Sequence, residues 1–249
     1  MKQRISVKKK TSMKKKTTKS KTTKIPKINI PNNKERIGMK TIKGKTVNQS
    51  KYLKLMENKK IVFCIGPAGS GKSYMATQFA VQELIRNNYE KIIITRPYIG
   101  AEIGMGHLPG SLEEKMDPFM RPIFDCMIAY GLTCEEIKKK IVDKVIEIVP
   151  ILYARGRSFH NSIVIIDEAQ NCNYEQLLLL ITRFGRASKM IINGDISQSD
   201  LSVGQRVDLE KMGKLLSEID DVGFVELGKE DIIREVIVGE ILEKLEEYK

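Results

Sequence analysis

The stretch Gly66-Pro-Ala-Gly-Ser-Gly-Lys-Ser73 constrains the fold of this chain more than any other feature, because it satisfies every position of the pattern G-x-x-x-x-G-K-[ST]. It directly follows the apolar run Ile61–Ile65 and precedes a helical pattern. Glycines let the backbone turn tightly with its N–H groups pointing inward, where they can hold phosphate oxygens. The sequence therefore predicts a strand, a phosphate-binding loop and a helix. The residues predicted to bind a nucleotide are Gly66, Pro67, Ala68, Gly69, Ser70, Gly71, Lys72, Ser73 and Tyr74.

Two side chains of this loop carry its chemistry. Lys72 is predicted to bring an ammonium group to the β- and γ-phosphates, and the Ser73 hydroxyl is predicted to bind Mg²⁺. The helix that follows directs the positive end of its dipole toward the same place. The alternative, a glycine-rich turn that matches the pattern by chance, is disfavoured by the apolar run before the loop and the helix after it.

Charge is distributed very unevenly along the 249 residues. Residues 1–50 contain 17 Lys or Arg and a single acid, Glu35, whereas the whole chain has a net charge of +12. The first 50 residues thus carry +16 and the remainder −4. This split predicts a disordered lysine-rich arm at residues 1–45 and a globular domain at residues 46–249. The arm is either a solubilising tail or a tether for the phosphate backbone of nucleic acid, and its lysine clusters favour the tether.

Several classes of protein are disfavoured by composition. No run of 18 apolar residues exists, so we expect no membrane-spanning segment and no membrane partner. The four cysteines form no C-x-x-C pair and the two histidines are far apart, which argues against a zinc site. Nothing in the cysteine spacing indicates a disulfide framework, so we expect a reducing, cytoplasmic location.

Strand-like and helical patterns alternate along the chain. Strands are predicted at 61–65, 91–95, 145–149, 163–166, 189–193 and 222–226, and helices at 51–57, 74–87, 134–144, from 173, at 206–219 and from 230. Between 98 and 131, glycines and the prolines at 109, 118 and 122 are expected to cut any long helix into short pieces, one of them opened by a capping box at 111–114. The alternation predicts an α/β fold with a mostly parallel sheet and helices on both faces.

Polar residues follow two of the predicted strands. Asp167 and Glu168 come directly after four β-formers, and Gln198 lies in the loop after the next strand. Carboxyl ends of parallel strands bind ligands in open α/β sheets. We predict that Asp167 holds Mg²⁺, that Glu168 activates the attacking water, and that Gln198 senses the γ-phosphate. The bland alternatives are a surface acid for Glu168 and an ordinary polar loop for Gln198.

A series of further motifs occurs in one order along the chain. They are Thr95-Arg-Pro97, Leu108-Pro-Gly110, Glu114-Lys-Met-Asp-Pro118, Arg121-Pro122, Arg155-Gly-Arg157, Asp167-Glu-Ala-Gln-Asn171, Thr182-Arg183, Ser188-Lys-Met190 and Gly194-Asp-Ile-Ser-Gln198. With the phosphate-binding loop, this set resembles the PhoH-like ATPases over about residues 47–238. Ser70 and Ser73 stand where that family usually has Thr, and Glu235 and Val236 stand where it has His-Pro.

The resemblance implies a single RecA-like P-loop NTPase domain, related to the first motor domain of superfamily-one helicases. It also implies that Asn48-Gln49 corresponds to the adenine-reading Q motif, although Gln49 by itself, a glutamine in a polar segment, indicates little. We expect Mg²⁺-dependent binding and hydrolysis of ATP, with RNA or single-stranded nucleic acid bound by the arm and by the sheet edge. A switch gated by nucleotide, without motor activity, is the alternative, and a P-loop kinase is a third class.

One RecA-like domain does not enclose its own γ-phosphate, so we expect a homo-oligomeric ring. Arg234 is then predicted to act across the subunit boundary as an arginine finger. The competing interpretation is an ordinary ion pair on a helix surface, because Arg234 lies three and four residues after Asp231 and Glu230.

Overall fold

The computed structural model of the chain describes residues 41–97, 112–233 and Lys244. The chain divides into two units after Glu35, and every described residue belongs to the second, Arg36–Lys249. No helix within these described ranges is both long and apolar enough to cross a membrane.

In the part of the chain that the structure describes, six parallel strands form one sheet. They are β1 (Ile61–Ile65), β2 (Lys91–Thr95), β3 (Ile146–Ile148), β4 (Ser162–Ile166), β5 (Lys189–Gly194) and β6 (Val222–Glu226), in the spatial order β3-β2-β4-β5-β1-β6. Strand β5 therefore separates β1, which leads into the phosphate-binding loop, from β4, which leads into Asp167. Strand β6 borders β1 on its other side.

Within the described residues, six α-helices accompany the sheet: α1 (Val47–Asn58), α2 (Lys72–Ile85), α3 (Leu112–Tyr130), α4 (Cys134–Val142), α5 (Tyr174–Ile181) and α6 (Leu209–Leu216). Successive residues of β4 point to opposite faces of the sheet and enter different cores. Ile163 and Ile165 pack with residues of α1, α2 and α3, while Val164 and Ile166 pack with residues of α5 and α6. The prediction of an α/β fold with helices on both faces of a parallel sheet is confirmed.

Helices α1 and α5 each begin at a polar N-cap residue whose hydrogen-bond partner lies three residues further along the chain. Thr46 caps α1 by accepting a bond from the Gln49 backbone N–H, so the helix begins at Val47, four residues before the predicted start, and carries Gln49 in its first turn. Asn173 and Gln176 form the capping box that the sequence predicts at the start of α5.

The prediction that prolines cut the 98–131 segment into short helices is wrong for its second half. Helix α3 runs without interruption for 19 residues through Pro118 and Pro122. A proline removes one backbone hydrogen bond and disfavours the preceding turn. Burial of Met120, Ile123 and Met127, which join the core cluster that includes residues of α2, opposes that cost.

The last predicted helix does not begin at Glu230. Residues Lys229–Asp231 form one turn of 3-10 helix, and the backbone at Ile232 is extended. The rest of that predicted helix and Arg234 lie outside the described residues, as do residues 1–40 of the arm, the segment 98–111 and its motif at 108–110. The boundary at 45/46 stays a prediction. Ile42 is nevertheless buried in the core, so the packed chain extends to that residue.

Candidate nucleotide-binding site

The phosphate-binding loop connects β1 to α2, and its glycines meet conformations that other residues avoid. Gly69 has φ of 82° and Gly71 has φ of 90°, in the left-handed region. At Gly66 the reason is contact, since a Cβ there would lie 2.6 Å from the carbonyl oxygen of Leu227. Gly71 is also the N-cap of α2, which places Lys72 and Ser73 in the first turn.

Lys72 lies across the loop rather than in solvent. Its Nζ donates to the carbonyl oxygens of Gly66 at 2.7 Å and Pro67 at 2.9 Å, and the residue is only 9% exposed. The ammonium group is therefore held at the concave side of the loop by contacts that a more strongly charged acceptor, such as a phosphate oxygen, can replace.

Ser73 and Asp167 meet although two strand spacings, about 10 Å, separate β1 from β4. The Ser73 hydroxyl donates to Asp167 Oδ1 at 2.6 Å. Asp167 is almost fully buried, and burial raises the pKa of its carboxyl group. The Ser73 bond lowers that pKa and the neighbouring Glu168 raises it. A hydroxyl and a single carboxylate are the protein ligands Mg²⁺ usually takes beside phosphate oxygens. The pair fits that ion.

Glu168 is fixed from both sides. Arg96 Nη2 donates to Glu168 Oε1 at 2.8 Å, and Gln170 Nε2 donates to Oε2 at 2.7 Å. The Glu168 backbone has φ of 55°, the left-handed region, which costs a non-glycine residue about 1–2 kcal/mol. Gln170 in turn accepts from the Asp195 backbone N–H at 2.9 Å, which links the end of β4 to the end of β5.

A cleft of about 610 Å³ opens over the loop. This volume is in the range of ligand pockets. Residues that line it include Ala68, Gly69, Gly71, Lys72, Ser73, Tyr74, Asp167, Glu168, Asn193, Asp195 and Gln198. Two buried polar atoms of this lining, Asn193 Nδ2 and Asp195 Oδ2, have no hydrogen-bond partner among the described residues. Such atoms usually have partners, so their place at the cleft is consistent with a polar ligand.

The structure places the remaining predicted residues differently. Gln198 is exposed in a 3-10 turn after β5 and lines the cleft, and Tyr74 lines it with 44% of its surface exposed. Ser70 is fully buried, and its hydroxyl donates to the Pro67 carbonyl, which is a contact within the loop itself. Arg234 lies outside the described residues.

Gln49 is buried and lines the cleft, and both of its amide hydrogens are donated to the protein. Its Nε2 donates to the carbonyl oxygens of Ser70 at 3.0 Å and Asp231 at 3.2 Å. Its Oε1 accepts from the Lys45 backbone N–H at 2.9 Å. Gln49 therefore ties the loop to the segment before α1 and to the segment after β6, and its predicted role in reading adenine stays a prediction.

Sequence reasoning missed four contributors to the site. Arg96 and Gln170 occur in quoted motifs without an assigned role, and Lys43 and Lys45, which line the cleft, fall in the predicted arm. Arg96 directly follows the predicted strand 91–95, and this position at a strand end could have identified it as a site residue. No local signal separates Lys43 and Lys45 from the other lysines of residues 1–45.

A parallel six-stranded sheet with a phosphate-binding loop after one strand and an acidic pair after another defines a P-loop protein of RecA-like fold. Within that class the chain belongs to the PhoH family, because the family model described as PhoH-like protein matches residues 41–246. The expected family membership is confirmed.

Curated relatives carry the same description. The chain is 40% identical over 205 residues to a PhoH-like protein of Synechocystis, covering 82% of this chain and 62% of the relative, and 40% identical over 205 residues to one of Bacillus subtilis, covering 82% and 64%. It is 37% identical over 190 residues to Protein PhoH of Escherichia coli, covering 76% and 54%. The chain thus spans about three fifths of the length of the curated relatives it matches.

Similarity to solved structures is weaker. The Pif1 helicase from Candida albicans aligns with a TM-score of 0.37 and 18% identity, covering 75% of this chain and 40% of that one. The Phi-28 gp11 DNA packaging motor aligns with a TM-score of 0.38 and 14% identity, covering 73% and 60%.

Proposed function

We propose that this protein binds ATP with Mg²⁺ and hydrolyses it. The observation that carries the proposal is the Ser73–Asp167 hydrogen bond of 2.6 Å at the phosphate-binding loop, with Glu168 held beside it by Arg96 and Gln170. A hydroxyl and a carboxylate suited to Mg²⁺, beside a second carboxylate held in place, supply the metal ligands and the general base that hydrolysis of a phosphoanhydride can use.

Each residue has a specific role in this proposal. Lys72 exchanges its two backbone carbonyl partners for oxygens of the β- and γ-phosphates. Ser73 and Asp167 would hold Mg²⁺, which when bound neutralises developing charge on the phosphate oxygens. Gln198, at the rim of the cleft, donates an amide hydrogen toward the γ-phosphate.

Glu168 orients the attacking water and accepts its proton. Both of its oxygens already accept one hydrogen bond each, but a carboxylate oxygen has two lone pairs. A water molecule can therefore donate to Glu168 without displacing Arg96 or Gln170. These two partners restrict the carboxylate to one orientation. In a fixed orientation the carboxylate can accept the proton while it holds the water in line with the γ-phosphate for attack.

The same proposal includes nucleic acid as the macromolecular partner. Residues 1–50 carry a net charge of +16, which suits a phosphate backbone, whereas the remainder carries −4. Since a single RecA-like domain leaves the γ-phosphate open on one side, we propose that the protein works as a homo-oligomer in which Arg234 reaches a neighbouring site. If hydrolysis drives movement along the strand, the protein acts as a helicase. The alternative is a switch gated by nucleotide, without motor activity.

The central test compares two variants with two matched controls. Lys72→Ala should weaken ATP binding and abolish hydrolysis, whereas Glu168→Gln should bind ATP as the wild type does and hydrolyse it at least about 10²-fold more slowly. Lys54→Ala and Glu175→Gln remove the same charges from exposed positions on α1 and α5 and should leave both measurements unchanged. Hydrolysis at the wild-type rate by Glu168→Gln would contradict the general-base role.

A second measurement separates a motor from a switch. Hydrolysis by the wild type is measured alone and with RNA, single-stranded DNA and duplex DNA. A motor should be stimulated by the strand on which it moves, while a switch need not be. If the wild type hydrolyses ATP and its rate is the same with and without each of the three nucleic acids, the result would favour the switch.

A further inference from the structure

The cleft has two distinguishable ends. Asp167, Glu168 and Gln198 lie on the side of β4 and β5, where the metal and the γ-phosphate belong under the proposed function. The other side of the loop faces β6, whose following segment reaches it, since the Ile233 backbone N–H contacts the Gly69 carbonyl at 3.4 Å. A triphosphate that crosses the loop from the first side must place its nucleoside on the second.

The nucleoside end is built from the segment before α1 and the segment after β6. Lys43 and Lys45 of the first segment and Ile233 of the second line the cleft, as do Gln49 in the first turn of α1 and Tyr74 in the first turn of α2. Ile42 anchors the first segment in the core, and the Lys45 backbone N–H bonds to Gln49 Oε1 at 2.9 Å. The side chains of Lys43 and Lys45 are exposed, and neither forms an ion pair with an acid among the described residues.

The side-chain amide of Gln49 already has hydrogen-bond partners within the protein. Reading adenine takes an acceptor for the exocyclic amino group and a donor for a ring nitrogen. Both Nε2 hydrogens of Gln49 are donated to the carbonyl oxygens of Ser70 and Asp231, and Oε1 accepts from Lys45. A buried amide that exchanges three satisfied bonds for contacts to a base gains little.

From this arrangement we infer that the cleft accepts purine nucleoside triphosphates with little selectivity for adenine, and that Lys43 and Lys45 hold the nucleoside end while Gln49 positions the loop. The inference rests on the proposed function. A lysine ammonium only donates hydrogen bonds, and its acceptors there, purine N7, ribose hydroxyls and the α-phosphate, are common to ATP and GTP. Tyr74 and Ile233, 44% and 45% exposed, offer apolar contact that does not distinguish the bases.

The test is equilibrium binding of the β,γ-imido analogues of ATP and GTP with Mg²⁺ to the full chain. The two dissociation constants of the wild type should agree within about 4-fold, which is less than the roughly 5- to 150-fold difference that one well-placed pair of base contacts provides. Gln49→Ala should weaken both analogues by a similar factor, because it loosens the loop. The ratio of the two constants should therefore not change.

The lysines have their own variant and control. Lys43→Ala with Lys45→Ala should weaken both analogues about 3- to 30-fold, the range expected of two partly solvated charges. Lys51→Ala with Lys54→Ala removes the same charge from the exposed side of α1 and should change binding less than about 2-fold, as expected where no contact to the ligand is lost. Equal binding by the two double variants would overturn the role of Lys43 and Lys45.

The remaining outcomes separate this inference from the proposed function. Weaker binding of the GTP analogue by more than about 5-fold would overturn the inference. If that preference is also lost in Gln49→Ala, Gln49 reads the base, and the proposed ATP hydrolysis is left intact. Failure of both analogues to bind, or binding that does not depend on Lys72, would overturn the nucleotide site itself. Gln49→Ala need not be stable for this decision, since the wild-type ratio and the lysine variants already test the inference.

Discussion

Asp231 connects the two segments that border the nucleoside end of the cleft, and its replacement by Asn gives a quantitative test of that connection. The side chain is fully buried. Its Oδ1 accepts from the Thr46 hydroxyl, and its Oδ2 accepts from Asn48 Nδ2 at 3.0 Å and from the Gly228 backbone N–H at 2.7 Å. Its carbonyl oxygen accepts from Gln49, so the same residue supports the loop.

The magnitude follows from the kind of hydrogen bond that is lost. Asn can keep its oxygen toward Asn48 and Gly228 and turn its amide toward Thr46, so the network survives as neutral bonds. A hydrogen bond to a charged group contributes about 1.5–3 kcal/mol and a neutral one about 1 kcal/mol. Each exchange therefore costs about 0.5–2 kcal/mol, and three cost about 1.5–6 kcal/mol before relief of the buried charge is subtracted, so we expect a loss near 2 kcal/mol. In a domain of this size the midpoint of thermal unfolding should fall by about 4–8 °C.

The pH dependence fixes the cause. Burial raises the pKa of Asp231, but the bonds from Thr46, Asn48 and Gly228 outweigh it and the pKa is lowered overall. An acid with a depressed pKa stabilises the fold above its unfolded value, near about 3.9, and this contribution disappears as the pH falls through the folded pKa. The difference between wild type and Asp231→Asn should therefore be complete at neutral pH and shrink below about pH 4.

Urea denaturation at pH 7 and at lower pH measures both quantities. Asp143→Asn, the same substitution at an exposed position after α4, is the control and should change the unfolding free energy by less than about 0.5 kcal/mol. If Asp231→Asn is as stable as this control, or if its deficit is the same at pH 3 as at pH 7, the charged network does not hold the two segments together.

Three further predictions concern the site and its partners. Gln170→Leu removes the link between Glu168 and the Asp195 backbone, so steady-state kinetics should show kcat lowered about 10-fold with ATP affinity unchanged, and an equal loss in both would contradict a positioning role. Deletion of residues 1–35 should leave ATP binding intact and flatten the slope of log K against log salt for single-stranded nucleic acid by about 0.7 per lost phosphate contact. Deletion of residues 1–45 should also weaken ATP binding, because Lys43 and Lys45 are lost. An unaltered salt slope would show that the arm does not touch phosphate. Lys72→Ala and Arg234→Ala should each be inactive alone and regain ATPase activity when mixed if Arg234 works in trans, while sedimentation of a fully active monomer would exclude that mechanism.

The ion-pair alternative for Arg234 is weakened by the backbone before it. Ile232 is extended, so the single turn at Lys229–Asp231 ends there, and no helical spacing of three or four residues starts from Glu230 or Asp231. The carboxylates of Glu230 and Asp231 are also engaged elsewhere, since both accept from Asn48 Nδ2. Neither observation places Arg234 in a neighbouring site, which stays a prediction.

Local pattern was sufficient wherever neighbouring residues decide the structure. The loop at 66–73, the strands at 61–65, 91–95 and 222–226, and the capping box at Asn173 all coincide with the sequence-based expectation. In each case the deciding interactions are glycine conformation, β-propensity or a cap, which involve residues a few positions apart. Proline in α3 shows the limit, because burial of one helix face overrode a correct local preference.

The sequence by itself determined the class of the protein, the loop that meets phosphate and the acids at the end of β4, since these depend on short stretches with one physical solution. Only the tertiary structure decided the partners of those residues. Arg96 meets Glu168 across 72 positions, and Gln49 meets Asp231 across 182. Such pairs form because the order of the strands brings segments that are distant in sequence together at one edge of the sheet. That order in turn depends on how the helices pack on both faces.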